Sequence, residues 1–200
     1  MIRKEKIEEL ESYIDELKTI KKRLILNPQR KFITSLSYEY TLNNGRIINR
    51  QQILKNGLDG SAVIVVPHLK ELDEYLIVVE PRVFTKLGVG VSFPAGYIDE
   101  DEKGHQAAYR ELKEETGYVA DEYIYLDSFY QDQGVSSAYN QIYLANNCTR
   151  QFEQELGESE IVRYMSVNLE ELEEFERMNY ICGGNTKLAL CKLKKYKGVD

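Results

Sequence analysis

Two short runs rich in β-branched residues, SAVIVVP from Ser61 and EYLIVVE from Glu74, constrain most strongly what this chain can fold into. Neither alternates polar and apolar positions, so both read as strands buried on both faces rather than wetted on one. The segments EYIYLDSFYQ, QIYLANN and IVRYMSV further along also read as strands. Helical patterns lie between and after them: Lys103 to Thr116, closed by Gly117, then Leu169 to Arg177, then Asn185 to Lys195 with Leu188, Leu190 and Leu193 inward or nearly so. Strands mixed with helices throughout predict a layered α/β sandwich.

The chain ahead of these runs has a different texture. TLNNGRII holds the pair Asn44–Gly45, which supplies the positive φ angles of a tight hairpin turn, with strands expected near Ser35 to Leu42 and Arg46 to Gln51. Residues 1 to about 26 read as a charged amphipathic helix, with Ile7, Leu10, Ile14, Leu17 and Leu24 at 3,4 spacing that Lys21 interrupts. The spacing leaves open whether this helix packs on its own domain or acts as a dimerisation arm. We divide the chain into an N-terminal arm, 1–30, and a main domain, 31–200. The glycine-rich stretch PRVFTKLGVGVSFPAG is expected to be a loop.

Composition narrows the partners. A formal charge of −7 over 200 residues disfavours general nucleic-acid binding, which needs a basic face, and an anionic substrate would require a cation as intermediary. Cys148, Cys182 and Cys191 are odd in number and widely spaced, suggesting neither a disulfide framework nor a zinc cage, and a reducing cytoplasm is the simplest home. The start MIRKEKIEEL lacks an apolar leader core, and no run is long enough to span a bilayer.

The segment GYIDEDEKGHQAAYRELKEETGY, Gly96 to Tyr118, carries the chemistry. At roughly 100° per residue, Glu111, Glu114 and Glu115 fall on one side of a helix, beside a sector holding Ala108, Leu112 and Thr116. Three like charges so placed repel one another unless something positive sits among them. Hard oxygen ligands without a thiolate select Mg²⁺, with Mn²⁺ as the alternative, and such ions bridge to substrate phosphates. Arg110 could pair with a neighbouring carboxylate and orient it, whereas His105 faces another side. Read by spacing alone, the same residues also describe a solvated acidic face.

Taken whole, Gly96, Glu102, Arg110, Glu111, Leu112, Glu114, Glu115 and Gly117 match the pattern Gly-x5-Glu-x7-Arg-Glu-U-x-Glu-Glu-x-Gly-U, with U aliphatic. This resembles the Nudix box. Tyr118, aromatic where an aliphatic residue is usual, is the one departure and is expected to affect packing more than chemistry. The resemblance implies an α/β/α sandwich with a mixed sheet, here with an N-terminal helix and β-hairpin added. It also implies metal-dependent hydrolysis of a nucleoside diphosphate linked to another moiety. It assigns Glu111, Glu114, Glu115 and the carbonyl of Ala95 to the metal, Glu102 to the loop and Arg110 to orienting Glu111.

The flanks FPAG, EPR (Glu80 to Arg82), YQDQGVSSAY and GESEIVR look like ADP-ribose pyrophosphatases. By that resemblance Arg82, Gly134 and Ser136 contact substrate, Glu158 is the base, and Glu160 is a further ligand or substitute base. Ser92 stands where those enzymes usually have glutamate, and Gln133 replaces the proline before Gly134. Both departures leave the substrate open: ADP-ribose or a related nucleoside diphosphate sugar, a dinucleotide, or a nucleoside triphosphate. A non-catalytic nucleotide-binding module is the rival of another class. The N-terminal helix and the family's habit lean towards a homodimer.

Overall fold

The computed structural model describes residues 3–19 and 32–199. In chain order the elements are α1 (Lys4–Leu17), β1 (Ile33–Thr41), β2 (Ile47–Lys55), β3 (Ala62–Leu69), β4 (Glu74–Pro81), β5 (Val89–Ser92), β6 (Ala95–Tyr97), α2 (Gly104–Thr116), β7 (Tyr118–Val119), β8 (Glu122–Tyr130), β9 (Tyr139–Asn146), β10 (Thr149–Arg150), β11 (Arg163–Val167), α3 (Leu169–Arg177) and α4 (Gly184–Lys197). Leu24 and Lys21 of the expected first helix lie outside the described residues.

The central sheet runs β11-β4-β3-β9-β8, with β5 on β4 and β6 on β3. It is mixed, because β3 and β9 are parallel while the other pairs are antiparallel. Alternate residues of the two β-branched runs serve two cores. Ile64, Val66, Ile77 and Val79 join the side covered by α1, α3 and α4, whereas Val63, Val65 and Leu76 join the side covered by α2. Burial on both faces is why the runs do not alternate. The architecture is the α/β/α sandwich with mixed sheet that the box implied.

Local signals held at the helix ends. Gly117 ends α2 at φ 75, and a Cβ there would stand 2.2 Å from the Phe152 carbonyl oxygen, so only glycine fits. Asn168 and Glu171 form a reciprocal cap on α3. Arg3 donates to both oxygens of the fully buried Glu171 at 2.7 Å and pairs with Glu74 at 2.7 Å. This clamp seats α1, whose Leu10, Ile14 and Leu17 enter the core beside Met165 and Phe175. The helix therefore packs on its own domain.

Two expectations need correction. The stretch expected to be a glycine-rich loop holds a turn at Arg82–Gly88 followed by β5 and β6. Strands β3 and β4 pair only at His68↔Tyr75 and Leu69↔Glu74. They then splay, and the freed edges take β5 and β6 as partners. These strands exist through long-range pairing, which local composition does not reveal. In the hairpin only Gly45, at φ 80, has the positive φ expected of both turn residues, and Thr41 pairs with Ile47 around a wider loop.

Candidate active site

The splay of β3 from β4 opens the sheet between Glu80, at the end of β4, and Ala95, on β6, and the C-terminal half of α2 lies against this opening with Glu111 and Glu115. A Cβ on Gly96 would stand 1.9 Å from Glu111 Oε1 and 2.0 Å from its carboxyl carbon. The missing side chain is the space that the carboxylate occupies.

Arg110 is the organising cation. It grips Glu102 with Nε at 3.0 Å and an amino nitrogen at 2.8 Å, and donates to the Tyr97 carbonyl at 2.8 Å. Its other amino nitrogen donates to Glu111 at 2.6 Å and to Glu114 at 3.3 Å. Hydrogen bonding to Arg110 holds the Glu102 carboxyl below the usual range. The forked guanidinium thus fixes the box loop to α2, a geometry lysine could not supply.

Three carboxylates gather at the opening: Glu111, held by Arg110, and Glu115 and Glu80 beyond its grip. Burial pushes Glu111 up to about 7 against the pull of Arg110, with Glu114 and Glu160 adding to the rise. Glu115 is raised well above the ordinary range by burial, then by Glu80 and Glu111, while the Ala95 backbone N–H opposes this. Its Oε2 is shut off from solvent and has no hydrogen-bond partner among the described residues. Glu80 is raised by burial and by Glu160 despite Arg82, which pairs with it at 2.5 Å. Like charges gathered away from water without compensation are costly, so the cluster is built for a cation.

Among the described residues no three acidic, histidine or cysteine side chains enclose an ion as they stand, and Arg110 competes for Glu111 and Glu114. The donor chemistry nonetheless fits a hard divalent cation, being all oxygen with one buried carboxylate oxygen unsatisfied.

Of the late-loop residues, Glu160 accepts from Gly157 N–H at 2.8 Å, and its charge reaches Glu80 and Glu111. Glu158 is exposed and is not among the groups that perturb them. A cavity of about 860 Å³ adjoins the cluster, with Glu80, Arg82, Ser92, Ala95 and Gln131 in its lining. Gly134 and Ser136 lie outside that lining, in a turn where Asp132 accepts the Gly134 N–H at 3.1 Å and the Ser136 hydroxyl accepts from Ala138. Glu80 is the residue that sequence reasoning missed. The signal in the sequence is a carboxylate that ends a β-branched run, in the triplet EPR beside Arg82. Tyr118 meets Tyr164 edge-on in the α2-side core, so that departure from the box is accommodated by packing.

The NUDIX domain family profile matches residues 59–181, and the chain belongs to the Nudix family. Within it, the chain is similar to ADP-ribose pyrophosphatase of Bacillus subtilis (strain 168), 35% identical over 82 residues, which is 40% of this chain and 44% of that protein. It is also similar to an uncharacterised Nudix hydrolase of Schizosaccharomyces pombe (strain 972), 34% identical over 89 residues, covering 42% and 43% of the two chains. The matched stretch thus spans under half the length of these relatives. The crystal structure of an ADP compounds hydrolase shares the fold, with TM-score 0.71 and 23% identity over 90% of this chain and 97% of that one.

Proposed function

We propose that the chain hydrolyses the pyrophosphate bond of ADP-ribose or a related nucleoside diphosphate sugar, giving a nucleoside monophosphate and a sugar phosphate. The observation that carries this is the unsatisfied, buried Oε2 of Glu115, set among Glu80 and Glu111 beside a cavity large enough for a nucleotide sugar. Similarity to an ADP-ribose pyrophosphatase supports the substrate class.

Glu111, Glu114, Glu115 and the Ala95 carbonyl would hold Mg²⁺, or Mn²⁺ in its place, with Glu160 as a further ligand or the base. Such ions, when bound, polarise phosphoryl oxygens and lower the pKa of water. Arg110 keeps Glu111 oriented, and Arg82 offers its guanidinium to the diphosphate. We assign proton removal from the attacking water to Glu160 ahead of Glu158, because its charge reaches the cluster. Gly134 and Ser136 remain proposed substrate contacts, reached from outside the described cavity.

We also infer a homodimer. The two-stranded sheet β1–β2 exposes Ile33, Leu36, Tyr38, Tyr40 and Ile47, and such a sheet needs cover to be stable. A second copy would supply it. We assign the protein to the cytoplasm: its three thiols are free, and no described helix is long and apolar enough to cross a membrane. The test is turnover of ADP-ribose with and without Mg²⁺, with AMP and ribose 5-phosphate as expected products. Absence of cleavage with either ion refutes the reading.

A further inference from the structure

The cavity lining joins groups of opposite character. Glu80, beside Glu115, is the one carboxylate among its described lining residues. The start of α4 also reaches the lining, through Gly183, Gly184, Asn185 and Thr186.

That helix start is open in three respects. Gly183 caps it without any side-chain hydrogen bond. The N–H groups of Gly184, Asn185 and Thr186 find no backbone carbonyl among the described residues. Thr186 is 3% exposed and lines the cavity, yet its hydroxyl has no hydrogen-bond partner among the described residues. The paired glycines are not explained by backbone conformation, since Gly183 has φ −68 and Gly184 is helical. Nor are they explained by packing: a Cβ on Gly184 would meet nothing within 4 Å, and one on Gly183 only Thr186 Oγ1 at 3.9 Å. What they accomplish is to leave the helix end bare towards the cavity.

A bare helix N-terminus directs N–H groups and partial positive charge at whatever lies before it, which suits an anion. Lys86 adds a full charge on the same lining and makes no ion pair among the described residues, whereas Arg82 is already engaged by Glu80. Resting on the hydrolysis proposed above, we infer that the start of α4 binds a phosphate monoester on the substrate, separate from the diphosphate held beside Glu80 and Glu115. The preferred substrate is then a nucleoside diphosphate sugar bearing a third phosphate.

The experiment compares ADP-ribose with ADP-ribose carrying an additional 2′-phosphate, in wild type and in Lys86→Ala, Thr186→Val and Gly183→Ala. The last places a methyl group beside the Thr186 hydroxyl at ordinary contact distance. In parallel, the amide resonances of residues 183–186 are followed while inorganic phosphate is added. The expected results are a kcat/KM at least about tenfold higher for the phosphorylated substrate, a preference that shrinks towards unity in each variant, and phosphate-dependent shifts at those amides that Thr186→Val weakens. Equal turnover of the two substrates by wild type overturns the inference and leaves the hydrolysis standing, even if phosphate alone shifts the amides. If neither nucleotide is cleaved, the proposed hydrolysis fails, and the phosphate titration decides the anion site alone: unmoved amides overturn it.

Discussion

Glu111 fills the space where a side chain on Gly96 would stand, 1.9 Å from the position of its missing Cβ. Box loop and helix are therefore interlocked, with the carboxylate as the key. Gly96→Ala forces the carboxylate or the loop aside, and a displacement of about 1 Å at a reacting centre costs about 10²-fold in rate. Steady-state kinetics with ADP-ribose check this, and a rate within twofold of wild type would refute the interlock.

Glu115→Gln separates catalysis from stability. The substitution removes a charge that burial, Glu80 and Glu111 all disfavour, so the metal-free melting temperature holds or rises. Turnover falls by about 10² to 10³-fold, because stabilisation of the phosphoryl charge goes with the ligand. Thermal unfolding without metal and activity with Mg²⁺ measure the two effects.

The raised carboxyls set a pH dependence. Glu111 in the folded protein titrates at about 7, above the unfolded value of about 4.3. The folded form binds more protons across that window, so metal-free stability is full below the lower value and declines as pH rises through the upper one. A divalent cation opposes this decline, so the shift in melting temperature on adding Mg²⁺ grows from pH 5.5 to 8. Glu111→Gln flattens both trends.

Proton removal distinguishes the late-loop glutamates. Glu160→Gln lowers kcat by about 10² to 10⁴-fold, the range for loss of a general base. Glu158→Gln leaves it within about threefold. The reverse ranking in parallel kinetics would move the base to Glu158.

Arg3 and Glu171 govern stability away from the site. Burial alone would raise Glu171, but the hydrogen bonds from Arg3 and the Asn168 N–H outweigh it and lower the pKa. That contribution is present above about pH 4.3 and is lost as pH falls through the folded value. Arg3→Ala strands a buried carboxylate at a cost of about 2 to 3 kcal/mol, the lower end for such pairs because Arg3 is partly exposed. Urea denaturation at pH 7 measures it.

The hairpin offers a test of assembly. Leu36→Asp with Tyr40→Glu places charges on one exposed face of β1 and shifts a dimer to monomer in sedimentation velocity. An unchanged dimer would place the interface elsewhere.

What the sequence determined by itself was whatever depends on neighbours along the chain. The box spacing put Glu111, Glu114 and Glu115 on one helix flank, Gly117 stopped that helix, and unbroken β-branched runs required cover on both faces. Tertiary structure alone decided that Glu80 joins Glu115, that β5 and β6 occupy the splay between β3 and β4, and that α1 is clamped by Glu171. Those relations come from pairing and burial between residues far apart in the chain, and a periodicity of 2 or 3.6 carries no record of which distant surface an element meets.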